Sequence, residues 1–227
     1  MIRLPILNIF PFTFEEYVAP VNPFLLATLG QESPPRPQIT VNNALDFARY
    51  SARKRGACNH LDDFVVAALD NNGGSKFAWL QNMPDNSQVP AILRYQTNHD
   101  NTYEMMGELE RLQTTLSPGQ VLFHGGHWKW ELQRGTIVRQ DVPLSTSLTA
   151  VTSACHSRDS GKQENGPFYL WVIKIGGSFK APVYFYNYYE GSDHRHEFEV
   201  LIAPGSLMRV ESVEPVEDYY LVCVVLE

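Results

Sequence analysis

The sequence predicts an α+β fold: a helical N-terminal part followed by a mainly antiparallel, two-sheet core. Three observations predict it. Helix-spaced apolar residues fill much of the first half. Short β-branched and aromatic runs, separated by turn signals, fill the second. Helices grouped before strands, rather than alternating with them, mark α+β architecture. On this reading residues 1–100 form a helical extension or lobe and residues 101–227 the core, with one continuous domain over 1–227 as the alternative.

The elements follow in order. Gln31 to Gln38 is a loop, because its prolines block both helix and ladder bonding. Asn43 to Arg55 holds good helix formers up to a breaker at Gly56. His60 to Leu69 places Leu61, Phe64, Val65, Ala68 and Leu69 at helical spacing and stops at Asp70-Asn-Asn-Gly-Gly. Asn101 and Glu104 read as a capping box, with Met105, Leu109, Leu112 and Leu116 on one face behind it. Ser117-Pro-Gly-Gln then turns the chain. Strands are predicted at Val121–Phe123, Thr136–Val138, Phe168–Ile175, Val183–Tyr186, Phe198–Ala203, Leu207–Val213 and Tyr219–Leu226.

Composition narrows the function classes. At 44% hydrophobic and 19% charged, the chain reads as globular rather than disordered. A net charge of −7 argues against a broad phosphate-backbone surface, so nucleic acid is an unlikely partner. The basic run Arg53-Lys54-Arg55 reads as the solvated end of a helix. Cys58, Cys155 and Cys223 are far apart and include no CxxC, which favours neither a disulfide framework nor a zinc knuckle. The apolar opening is interrupted by Pro5, Asn8 and Pro11 and followed by Glu15 and Glu16, which reads against a secretory signal. No stretch is long and apolar enough to span a bilayer. The expected setting is cytoplasmic, or export without a classical signal.

Three segments carry chemistry. In Val121-Leu-Phe-His-Gly-Gly a strand ends at His124, and Gly125 lets another molecule approach the backbone. In Pro143-Leu-Ser-Thr-Ser-Leu, extended geometry puts Ser145 and Ser147 on one face and Thr146 on the other. In His196-Glu-Phe-Glu-Val-Leu-Ile-Ala-Pro-Gly, the carboxylates of Glu197 and Glu199 flank Phe198 and point the same way if the backbone is extended. Two carboxylates that close repel, which raises one pKa unless a cation or hydroxyl intervenes. Each segment also has an ordinary structural reading: a strand corner, a solvated strand face, a surface pair.

In this order the segments resemble the arginine–serine–glutamate class of mono-ADP-ribosyltransferases, found among bacterial toxins and effectors, phage enzymes and vertebrate ecto-enzymes. The resemblance covers roughly Leu112 to Glu227. It implies NAD as substrate, no metal, and transfer of ADP-ribose to a protein. Within it Glu199 is the catalytic carboxylate, with Ser145 bracing it. Glu197 is the residue associated with an arginine acceptor. His124, Gly125, Ser145, Thr146 and Ser147 fall in the NAD-binding segments. The class usually has arginine where His124 stands; a histidine takes that place in the diphtheria-toxin-like branch, which lacks Ser-Thr-Ser. Arg94, Arg134 or Arg139 is a candidate source of the missing charge. Tyr184, Tyr186, Tyr188 and Tyr189 form either strand packing or an aromatic wall. The expected partner is a protein with an acceptor arginine, with a chaperone or host cofactor also possible. Three alternatives remain: a degenerate module of the same fold that binds NAD or protein without turnover, a metal-binding protein built on His124, His127, His194 and His196, and NAD cleavage with a nucleic acid or a small molecule as acceptor.

Overall fold

The computed structural model describes residues 1–16, 28, 36–70, 78–98, 102–127, 131–158, 167–186 and 197–227. The N-terminal part is not purely helical. Strand β1 (Ile2–Leu4) pairs in parallel with β4 (Thr114–Leu116), and β2 (Phe12–Glu15) pairs antiparallel with β3 (Gln38–Val41). Gln38 therefore opens a strand instead of closing a loop. Leu116 likewise leaves its predicted helix face. Helix α5 (Thr102–Arg111) ends first, and the β-branched Thr114 and Thr115 carry the chain into β4. Asn101, half of the predicted capping box, lies outside the described residues.

Helix α1 (Ala44–Arg53) starts where Asn43 accepts a hydrogen bond from the Asp46 amide at 3.0 Å. It ends through left-handed residues at Arg55 (φ 52°) and Gly56 (φ 76°). Helix α2 (Asp62–Leu69) follows a short 3-10 turn at Asn59–Leu61. Three helices have no counterpart in the sequence reading: α3 (Ala78–Gln81), α4 (Pro90–Asn98) and α6 (Ala150–Arg158). Helix α6 lacks a polar face. Ala150 to Ala154 and Ser157 are all buried, so no 3.6-residue alternation marks it.

The remaining strands are β5 (Val121–Gly126), β6 (Ile137–Arg139), β7 (Leu144–Ser147), β8 (Phe168–Ile175), β9 (Val183–Phe185), β10 (Glu199–Ile202), β11 (Leu207–Val216) and β12 (Tyr219–Leu226). They form one eight-stranded sheet in the order β6-β11-β12-β8-β5-β7-β10-β9. It is mixed: β12 lies parallel to β8, because it inserts between β8 and its own hairpin partner β11. The sheet's continuity rests on a single register pair, Phe123 with Ser147, where β5 meets β7. On either side of this seam the ladders are long: six pairs join β5 to β8, and four join β7 to β10. The two sheets of the sequence reading are thus two halves of one sheet, joined at one point.

Both faces of β8 are covered, which explains its nearly unbroken apolar sequence. Trp171, Ile173 and Ile175 share one cluster with Val222 and Val224, and with Leu144, Val200 and Ile202 from across the seam. The two halves therefore close on a common core. Phe168, Leu170 and Val172 point the other way, into a cluster with Phe47 and Ala48 of α1 and Val151 and Ala154 of α6. The first hundred residues enter both clusters and a third. Val65, Leu69 and Trp79 join the first cluster, while Ile92 packs with Leu109, Tyr184 and Leu201. Burying each such side chain contributes roughly 1.5–3 kcal/mol, so these contacts tie the N-terminal half firmly to the sheet.

Candidate active site

The seam opens into a cleft of about 350 Å³. Side chains from both halves of the sheet line it. His124 enters from β5, Ser145 from β7, Glu199 from β10, Tyr95 and Gln96 from α4, His156 from α6, and Glu197 from the turn before β10.

Glu199 faces Ser147 in the β7–β10 register, and Ser145 pairs with Leu201. The Ser145 Oγ donates to Glu199 Oε1 at 2.6 Å, and Gln96 Nε2 donates to Oε2 at 2.7 Å. The carboxylate is otherwise enclosed, with Glu199 only 7% exposed. Burial pushes its pKa up to about 7, against the two hydrogen bonds; Glu197 pushes the same way and His156 opposes it.

Glu197 and Glu199 both line the cleft, but not by simple alternation along a strand. Strand β10 begins only at Glu199, and the intervening Phe198 sits at φ 46° with its side chain buried in the first core cluster. A bulky residue in the left-handed region is strained and must be held by its surroundings. Ser147 and Leu148 hold it: Ser147 Oγ donates to the Glu197 carbonyl at 2.5 Å, and the Leu148 amide donates to the Phe198 carbonyl at 3.2 Å. Ser147 thus serves the turn. Thr146 points its hydroxyl to the Val200 carbonyl at 2.6 Å, which ties β7 to β10. The Glu197 carboxylate lies 3.5 Å from His156 Nε2.

The His124 Nδ1 lies 2.5 Å from the Ser145 carbonyl, across the seam from its own strand. A carbonyl only accepts, so Nδ1 carries the hydrogen. Nε2 is then a lone pair on the neutral ring and a donor only on the cation. The imidazole also packs edge-on to Trp171, with ring centroids 4.6 Å apart. The two glycines that follow have different jobs. A Cβ on Gly125 would collide with the Ser153 carbonyl and sit 2.8 Å from the Ser157 amide, so this glycine lets α6 lie against β5. A Cβ on Gly126 would strike the His124 Nε2.

Other sequence candidates fall elsewhere. Among the described residues no lysine or arginine lines the cleft; Arg94, Arg134 and Arg139 are absent from its walls, and Arg94 pairs with Glu104 at 2.5 Å. Tyr184 and Tyr186 are core residues whose hydroxyls donate to Asn86 Oδ1 at 3.0 Å and the Ile92 carbonyl at 3.2 Å. Tyr188, Tyr189, His194 and His196 lie outside the described residues. Among the described residues no group of three His, Cys, Asp or Glu side chains is placed to hold a metal. Nor, among them, is any helix long and apolar enough to cross a membrane. Gln96, Tyr95 and His156 were not singled out by the sequence reading. No motif surrounds them, and the first two lie in the half read as an extension.

No protein-family model matches the sequence, nor does any curated protein. Several solved structures are similar in part. Vis toxin, an ADP-ribosyltransferase from Vibrio splendidus, is 13% identical, with 82% of this chain and 88% of that chain covered at a TM-score of 0.41. C3larvin toxin, an ADP-ribosyltransferase from Paenibacillus larvae, is 12% identical, with 66% and 91% covered at 0.41. The Clostridium limosum C3 exoenzyme is 14% identical, with 82% and 95% covered at 0.38.

Proposed function

We propose that this chain cleaves NAD between nicotinamide and ribose and transfers the ADP-ribose to a protein side chain, an arginine. The observation that carries the reading is the buried Glu199 carboxylate, braced by the Ser145 hydroxyl at 2.6 Å on the wall of a cleft that His124 also lines. The motif resemblance of Ser145-Thr-Ser and Glu197-Phe-Glu supports it. The chain is then one functional unit over 1–227, since α4 supplies Tyr95 and Gln96 to the same cleft.

Nicotinamide leaves readily because its ring nitrogen already carries positive charge. The ribose left behind develops oxocarbenium character, as in glycoside hydrolysis. A fixed carboxylate stabilises that charge more than it stabilises the ground state, and fixing it in advance avoids reorganisation during the reaction. Glu199 takes this role, with a hydrogen bond to the ribose 2′-hydroxyl. It does so ionised, so the donors opposing its raised pKa are part of the machinery.

Glu197 attracts the incoming guanidinium and receives its proton. His156, 3.5 Å away, is placed to share that proton. Among the described residues no guanidinium lines the cleft, so the phosphates of NAD fall to imidazole: His124 offers Nε2–H when protonated, while Gly125, read from the motif as a point of ligand approach, is instead packed against α6. That lack of lysine and arginine among the described residues favours a second reading, a module that binds NAD or protein without turnover. Incubation with NAD labelled in the nicotinamide and adenosine halves separates the two. Turnover releases nicotinamide and leaves ADP-ribose on a protein arginine, identified by mass spectrometry of a treated lysate; a binder retains both labels.

A further inference from the structure

Both oxygens of Glu199 receive a hydrogen bond from the protein, and the two donors come from separate elements, a strand and a helix. Ser145 stands on the neighbouring strand. Gln96 stands on α4, 103 positions from Glu199 in the chain. Its amide is neutral, so it holds the carboxylate without a second buried charge, whose desolvation would cost several kcal/mol. A carboxylate offers about four lone-pair sites. Two donors therefore leave room for a third hydrogen bond from a ligand.

Gln96 is placed by a firmly seated helix. The buried Glu108 carboxylate accepts from the Ala91 amide at 3.0 Å and the Ile92 amide at 2.9 Å, capping the start of α4. The Tyr186 hydroxyl donates to the Ile92 carbonyl at 3.2 Å. Ile92 is fully buried, and Gln96 lies one turn further on, on the same helix face. The groups around the carboxylate come from every neighbouring element: Glu197 from the preceding turn, His156 from α6, Tyr95 from α4 and Tyr186 from the end of β9. Of these, Glu197 favours its protonation and His156 its ionised form.

We propose that Gln96 is a positioning residue for Glu199: its amide and the Ser145 hydroxyl clamp the two carboxylate oxygens, keep the group ionised and aimed into the cleft, and leave its remaining lone pairs for a sugar hydroxyl. The hydroxyl's identity rests on the ADP-ribosyl reading. The clamp does not.

The test is the ¹³C carboxyl titration of Glu199 by NMR in the full chain, assigned with Glu199→Gln, alongside the pH profile of nicotinamide release. Gln96→Leu removes the donor and should raise the Glu199 midpoint by about one to two pH units, the size of one lost charge-assisted hydrogen bond. The acid limb of nicotinamide release should move by the same amount. Activity at pH 7 then falls about fivefold to fiftyfold and recovers in alkali, with KM little changed. Gln96→Glu, nearly isosteric, puts a second carboxylate at the same place and should raise the upper midpoint as well. In the native chain the Gln96 side-chain amide signals should follow the Glu199 midpoint. Midpoints unmoved by either substitution, amide signals flat across the native midpoint, or activity lost equally at every pH would overturn the proposal. If the midpoints move but no variant and no native chain releases nicotinamide, the clamp stands and the ADP-ribosyl reading falls.

Discussion

The Ser145 hydroxyl lies 2.6 Å from one carboxylate oxygen of Glu199 and favours its ionised form against burial. Ser145→Ala leaves that oxygen one donor short in a place where water is largely excluded. Losing a hydrogen bond to a charged group costs about 1.5–3 kcal/mol. The kcat for nicotinamide release should fall by about tenfold to a hundredfold at pH 7, and the acid limb of its pH profile should move upward. An unchanged profile would remove Ser145 from the site.

Glu197 and His156 lie 3.5 Å apart in the cleft, and on the proposed reading they face the acceptor. Glu197→Gln should reduce transfer to an arginine peptide by about a hundredfold or more, the lower range for a lost proton acceptor, while sparing NAD hydrolysis. Rates for both reactions, measured on one preparation, decide it. Equal losses would count against an acceptor role.

One buried and one half-buried carboxyl make stability fall with rising pH. Glu199 is raised from 4.5 to about 7, chiefly by burial, and Asp62 from 3.8 to about 7 by burial against its bond from Thr149. Each raised acid holds its proton more tightly in the folded state. Its stabilising contribution is complete below the unfolded pKa and is lost as pH rises through the folded one. Between about pH 4 and pH 7 each group should lower stability by up to about 1.4 kcal/mol per pH unit. Urea titrations across this range should show the slope, and Glu199→Gln and Asp62→Asn should each flatten part of it.

The adjacent glycines separate folding from binding. Gly125→Ala drives a methyl into the α6 backbone, which cannot yield cheaply, and should destabilise by about 1–3 kcal/mol or more. The atoms nearest a Cβ on Gly126 all belong to the His124 imidazole, so Gly126→Ala displaces that ring rather than backbone. That variant should keep its melting temperature yet bind NAD more weakly. Thermal melts and NAD titrations on the pair test the contrast.

Much of the core was legible from sequence because period and propensity agree there. Phe168–Ile175 and Tyr219–Leu226 form strands at their predicted limits. Glu199, Ser145 and His124 come together as their motifs suggested. What sequence could not convey depends on tertiary context. Helix α6 is buried almost all round and shows no amphipathic period. The parallel β8–β12 pair needs a long crossover that local turns do not reveal. The left-handed Phe198 breaks the alternation that the sequence suggests for Glu197 and Glu199. Gln96 reaches the site from a helix that no motif announced, in a segment that composition alone made an extension.

The central claim is that the carboxylate at position 199 drives the loss of nicotinamide. The most direct measurement is nicotinamide release from NAD by the native chain and by Glu199→Gln, with folding of both verified by circular dichroism. The account predicts steady release by the native protein and at least a hundredfold less from the variant, the scale of a lost electrostatic stabiliser. Equal release by both proteins, or none by the well-folded native chain, would contradict it.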